Sequence, residues 1–97
     1  MNPQRIEKIR KLLHREVSMY IQNEMGLRDL QINRVLFSPD LKKAKFIFVY
    51  ISNNSSDNKH IEDFLNKNSS RIRSSMFKLL RLRFVPEFIF EYEVVKR

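Results

Sequence analysis

Apolar residues recur along this chain with two different periods, and the switches between them divide it into six elements. Ile6, Ile9, Leu13, Val17 and Tyr20 follow helical spacing, with Leu12 and Ile21 on the flanks. At 100° per residue those five fall within about 80° of arc, which predicts an amphipathic helix packed on one side. Asn2-Pro3 supplies an N-cap followed by Pro at the first helical position, and Gly26 a residue free to take the left-handed conformation that ends a helix. The period then drops to two. Residues 31–38 (QINRVLFS) are β-branched and apolar, and a second strand spans roughly 43–51, where Ala44, Phe46, Phe48 and Tyr50 alternate with Lys45, Ile47, Val49 and Ile51. Ser38-Pro39-Asp40-Leu41 between them places Pro at the second position of a turn, so an antiparallel hairpin is expected.

Helical periodicity returns after the polar loop 52–58, with Asp57 or Asn58 as the expected cap. Ile61, Phe64 and Leu65 begin an apolar face that Asn68-Ser69-Ser70 interrupts. These three residues have poor helix propensity and predict a kink or tight break. Ile72, Met76, Leu79 and Leu80 resume the pattern, and Val85-Pro86 is expected to close the helix, because the residue before Pro is driven out of the α region. Phe88, Phe90 and Tyr92 then alternate with Ile89, Glu91 and Glu93 in a third strand. The order α-β-β-α-α-β predicts an α+β domain of two layers, with helices covering one face of a three-stranded sheet. At 97 residues, positions 1–97 are expected to form a single domain.

Charge changes this picture more than composition does. The segment from Phe64 to Pro86 holds Lys67, Arg71, Arg73, Lys78, Arg81 and Arg83 and no acid, supplying +6 of the net +8 and leaving +2 for the rest. Arg71, Ser74, Lys78 and Arg81, at spacings of 3, 4 and 3, share a face opposite Ile72, Met76 and Leu79. Cations at that spacing suit successive phosphates on a nucleic-acid backbone, although a solvated polar face is the competing reading. Arg73 sits at the edge of the apolar side, where it would either reach RNA or pair internally. Lys8, Lys11 and Arg15 form a second basic stripe, and Lys42, Lys43 and Lys45 a third cluster. Phe46, Phe48, Phe88 and Phe90 read as core packing in place of a base-stacking platform.

Other chemistry is thinly represented. Cysteine is absent, which removes disulfides and thiolate sites and fits a reducing compartment. The single Gly excludes Gly-rich phosphate loops. His14 and His60 have no recognisable metal or nucleophile partners and read as surface residues. No apolar run is long enough to span a membrane. The expectation is a soluble, cytoplasmic, monomeric binding domain with no catalytic residue, metal or cofactor.

Ser38-Pro39-Asp40-Leu41-Lys42-Lys43-Ala44 resembles the turn of the ribosome-binding factor A family. So do Leu65-Asn66-Lys67 before the kink, Ile72-Arg73, and Leu80-Arg81-Leu82-Arg83-Phe84-Val85-Pro86-Glu87. The resemblance extends over essentially the whole chain. It implies a type II KH-like fold with a helix–kink–helix in place of the GXXG loop. It also implies a bacterial assembly factor that binds the immature small (30S) ribosomal subunit, assists maturation of the 5′ end of 16S rRNA and supports growth in the cold. On that reading the three basic clusters, Arg83 included, bind RNA. The alternatives are a protein-interaction module, or a general nucleic-acid binder with no preference for ribosomes.

Overall fold

The computed structural model describes residues 2–51, 56–81 and 85–94. The elements follow the expected order: α1 (Pro3–Met19), β1 (Leu30–Phe37), β2 (Lys43–Tyr50), α2 (Ser56–Lys67), α3 (Ser69–Leu80) and β3 (Glu87–Tyr92). The Asn2 side chain accepts a hydrogen bond from the Gln4 amide at 2.8 Å, capping α1 as the sequence suggests. The helix does not stop at Met19 but widens into a π-helical turn, Tyr20–Glu24. That turn rotates Ile21 fully into the core and leaves Tyr20, expected on the apolar arc, half-buried. Gly26 follows at φ 75°, and the Leu27 amide donates to the Ile21 carbonyl at 3.1 Å.

β1 and β2 form the expected antiparallel hairpin. In its turn the Ser38 hydroxyl donates to Asp40 Oδ1 at 2.7 Å and the Lys42 amide donates to the same oxygen at 3.0 Å. These two bonds hold the Asp40 carboxyl below its ordinary range. β2 is the central strand, and β3 joins it in parallel, Lys43 beside Glu87 and Phe48 beside Tyr92. A β-bulge between Ile32 and Arg34 inserts one residue into β1. It explains how Ile32 and Val35, three apart, both point into the core.

The three helices cover one face of the sheet. Phe46, Phe88 and Phe90 meet at centroid distances of 4.9 and 5.1 Å from Phe46, and with Phe48 they are buried. Leu13, Val17 and Ile21 from α1 join them, with Leu65 from α2 and Ile72 and Met76 from α3. The opposite face of the sheet carries a charged grid, with Lys45 paired to Glu91 at 3.3 Å and Arg34 to Glu93 at 3.8 Å.

Both edge strands are fastened to helices by side chains. Asn66 donates to the Phe90 carbonyl and accepts from the Phe90 amide, both at 2.8 Å, and Glu62 accepts from the Tyr92 amide at 3.0 Å. On the other edge Gln22 donates to the Leu30 carbonyl at 2.7 Å, and His14 Nε2 lies 2.6 Å from the Ile32 carbonyl. A carbonyl only accepts, so Nε2 carries the proton. His14 is therefore a half-buried structural residue and not the surface residue expected.

Four further expectations need correction. The helix does not run to Val85: α3 ends at Leu80, because Arg81 takes the left-handed conformation (φ 51°, ψ 35°) and its amide caps the Phe77 carbonyl. Leu79 is 59% exposed; the core takes Ile72 and Met76, and Leu79 falls at the margin of the α1 contact. Asn58 does not cap α2, since its side chain accepts from the Tyr50 amide at 3.0 Å. The break between the last two helices is at Asn68 alone, with Ser69 and Ser70 already in the first turn of α3. There the Asn68 side chain donates to the Phe64 carbonyl at 2.8 Å, competing with the helix for its own backbone.

Candidate nucleic-acid interface

α3 carries its cations as the spacing predicts. Ile72 and Met76 are drawn into the core, which turns Arg71, Ser74 and Lys78 to solvent, and all three are exposed. Arg81 is exposed too, but it stands on the left-handed residue that terminates the helix and not on a fourth helical turn. Among the described residues Arg71, Lys78 and Arg81 form no ion pair, so their charge is not neutralised by neighbouring carboxylates. Arg83 lies outside the described residues.

Arg73 behaves differently from its neighbours. Its Nε donates to the carbonyls of Val85 and Pro86, at 3.0 and 3.1 Å, and so pins the start of β3 to the middle of α3. This is the internal pairing open to it in the sequence, made through Nε alone while the residue stays exposed.

The other two clusters are only partly free. On α1, Lys8 and Lys11 are exposed without an ion pair among the described residues, whereas Arg15 reaches Glu16 at 3.2 Å. At the hairpin, Lys42 and Lys43 are exposed and unpaired on the same terms, whereas Lys45 is bound to Glu91. Exposed pairs of this kind hold their partners weakly, so Arg15 and Lys45 can exchange a carboxylate for another anion at little cost.

α1 runs back along β1. Its Arg10 guanidinium lies 5.5 Å from the centre of the Phe37 ring, His14 meets Ile32, and Gln22 meets Leu30. The first half of α1 is thereby brought to the hairpin end of the sheet, where Lys42 also accepts, through its carbonyl, the Glu87 amide at 2.9 Å. Two of the three basic clusters thus share one end of the molecule. α3 meets α1 farther along, where Met76 and Leu79 line a cleft with Glu16, Met19, Tyr20, Asn23 and Glu24, while Arg73 ties the middle of α3 to the start of β3. Arg10 and Arg34, which no sequence pattern singles out, flank the groove between α1 and β1. Their placement depends on the antiparallel run of helix and strand, which residue spacing within either element does not encode.

No group of three or more His, Cys, Asp or Glu among the described residues is placed to hold a metal ion, and no described helix is long and apolar enough to cross a membrane. Helices on one face of a mixed sheet, a break at Asn68 and a single glycine define a KH-like α+β domain that cannot contain a GXXG loop and carries its cations on helices. The family model of ribosome-binding factor A matches residues 5–95. The chain is 34% identical to ribosome-binding factor A of Prochlorococcus marinus (strain AS9601), over 97% of this chain and 75% of that protein. It is 36% identical to the factor of Vesicomyosocius okutanii, over 90% of this chain and 78% of the other. This protein belongs to the ribosome-binding factor A family.

Solved structures agree on the fold. The crystal structure of the Thermus thermophilus factor superposes with a TM-score of 0.74 at 17% identity, covering 89% of this chain and 92% of that one. A homology model of the Thermus thermophilus factor, as fitted into the cryo-electron microscopy map of a 30S complex, superposes with a TM-score of 0.66 at 17% identity, covering 87% and 90%.

Proposed function

We propose that this protein is a non-catalytic assembly factor that binds the immature small ribosomal subunit by gripping 16S rRNA phosphates. In that role it assists maturation of the 5′ end of the RNA and supports growth in the cold, acting as a cytoplasmic monomer of one domain without metal or cofactor. Membership of the family supports the ribosomal partner, as does the 30S complex of the Thermus relative. The observation that carries the site is the cations Arg71 and Lys78 on α3 with Arg81 at its end, exposed and free of ion pairs among the described residues. Lys8, Lys11 and Arg15, with Lys42, Lys43 and Lys45, extend the contact from α1 and the hairpin end of the sheet. Arg83 is assigned to it from the sequence. Arg73, exposed beyond the Nε that holds α3 against β3, joins the same contact.

Without a GXXG loop the protein has no glycine-lined clamp for single-stranded backbone. Helix-borne cations neutralise phosphates without reading bases, so affinity falls linearly with the logarithm of salt concentration, by roughly 0.7 to 0.9 per phosphate. The test is salt-graded co-sedimentation with purified immature and mature small subunits. A Lys78→Glu/Arg81→Gly variant is expected to bind more weakly at every salt concentration, with the slope reduced by about 2. Glycine suits the left-handed position, so the fold should be retained. Unchanged binding and slope in a folded variant would reject the α3 site. Equal competition by bulk RNA would reject the preference for ribosomes.

A further inference from the structure

The edge of β1 is closed along only half its length. Up to the bulge, helix side chains occupy its outward carbonyls, Gln22 at Leu30 and His14 at Ile32. Beyond it the register fixes a different outcome. The Ser38 amide bonds the Lys43 carbonyl across the hairpin at 2.9 Å, so the alternation of the antiparallel ladder turns the N–H and C=O of Val35 and Phe37 away from β2. Among the described residues no helix side chain bonds these groups. Two hollows flank the same segment. One, of about 480 Å³, lies between α1 and β1 and is lined by Arg10, Lys11, His14, Arg34, Val35 and Leu36. The other, of about 340 Å³, lies on the open face of the sheet beside Leu36, Phe37, Lys43, Lys45 and Ile89.

We propose that residues 33–37 of β1 are a docking edge for an extended acidic and apolar segment of a partner protein, which adds to the sheet as a fourth strand. Main-chain bonds to Val35 and Phe37 would provide the pairing, and alternate side chains of the incoming strand would enter the two hollows. Apolar side chains meet the 44%-exposed Leu36 on the open face of the sheet, while the buried Val35 offers its backbone alone. Acidic ones, on the opposite face of the incoming strand, meet Lys11 on the α1 side, which has no ion pair among the described residues, while Glu7 there is already engaged by Arg10. A phosphate backbone fits this edge poorly, because phosphate oxygens only accept and leave the Val35 and Phe37 carbonyls unsatisfied. The contact is independent of the α3 cations, but it takes Lys11 from the basic stripe assigned to RNA above, so peptide and RNA would compete there.

The experiment follows amide hydrogen exchange at Val35 and Phe37 by NMR in the full chain. The probe is an acetylated, amidated hexapeptide of alternating Glu and Val, titrated to millimolar concentration. Exchange at both amides should slow at least tenfold, and Lys11→Glu should weaken the peptide at least fivefold. A control peptide with Pro in place of every Val should have no effect. The proposal is overturned by unchanged exchange, by equal protection from the Pro peptide, or by protection from a 16S rRNA oligonucleotide in place of the peptide. The last result would assign the groove to nucleic acid.

Discussion

Replacing Asn66 with Ala removes both bonds that bind α2 to the outer edge of β3. The Asn66 amide lies 2.8 Å from the Phe90 carbonyl through Nδ2 and 2.8 Å from the Phe90 amide through Oδ1, so one side chain imitates a neighbouring strand. Each such bond is worth about 1 kcal/mol net, giving about 2 kcal/mol for the pair. Ala is the better helix former by about 0.5 kcal/mol, which leaves an expected loss of about 1.5 kcal/mol. For a domain of this size that lowers Tm by roughly 6 to 12 °C. The assay is urea unfolding with a common m-value, joined to hydrogen exchange at the Phe90 amide. An Asn66→Asp variant separates the two bonds. It still accepts from the Phe90 amide but sets a carboxylate against the Phe90 carbonyl, and should be less stable than the Ala variant at neutral pH. Its protonated form can donate to that carbonyl, so the folded state binds the proton more tightly and the deficit shrinks as pH falls. A loss below about 0.5 kcal/mol with unchanged protection at Phe90 would refute the account, because an edge satisfied by water would show that pattern.

Three further outcomes follow from single residues. Arg73→Ala should cost about 1 to 2 kcal/mol in urea unfolding through the lost bonds to Val85 and Pro86, whereas Lys78→Ala, farther along the same helix, should leave stability within about 0.5 kcal/mol. Gly26→Ala should cost about 1 to 2 kcal/mol from the backbone alone, since φ is 75° and an added Cβ meets nothing within 4 Å; a neutral result would contradict the assigned conformation. Asp40 is held below its ordinary value of 3.8 by Ser38 and then by the Lys42 amide. A depressed carboxyl stabilises the fold above its unfolded value and loses that contribution as pH falls through the folded one. The stability gap between the protein and Asp40→Ala should therefore close on acidification below about pH 4, and a gap independent of pH would count against the turn geometry.

Much of the fold was legible because burial imposes periodicity. Phe46, Phe48, Phe88 and Phe90 alternate, Leu13 and Val17 fall one helical turn apart, and all are buried as their spacing predicts. Asn68 could be read because its side chain competes with its own helix. What escaped was set by partners distant in sequence. Glu62, Asn66, His14 and Gln22 look like ordinary surface polar residues until a strand edge is placed beside them. Alternation in β3 shows which residues face inward and says nothing about its direction, so its parallel pairing was not foreseen. Leu79 has the phase of a core residue, yet α3 meets α1 along a line that passes Met76 first. The stop at Arg81 has no marker at that position, since the Pro86 signal lies five residues later. The bulge in β1 also went unread, although a flat strand could not bury both Ile32 and Val35 on one face.

For the candidate site, the number of cations and the outward face of α3 were visible in the sequence. Their neutralisation was not. Glu91 reaches Lys45 from a neighbouring strand, and the Arg73 Nε is tied to the carbonyls of Val85 and Pro86. Both facts depend on where β3 lies.

The parallel placement of β3 also bears on how the chain assembles. The β1–β2 hairpin can form from local contacts as soon as its turn closes. β3 cannot follow until α2 and α3 have spanned the sheet, because its pairing partners on β2 lie far back in the chain. Before then the inner face of β2, with Phe46 and Phe48, lacks Phe88 and Phe90 as neighbours. The last strand is thus the latch of the domain, held on one side by β2 and on the other by Glu62, Asn66 and Arg73. Truncation before Glu87 would leave a hairpin and three helices with an open aromatic seam, prone to self-association, in place of a smaller stable domain.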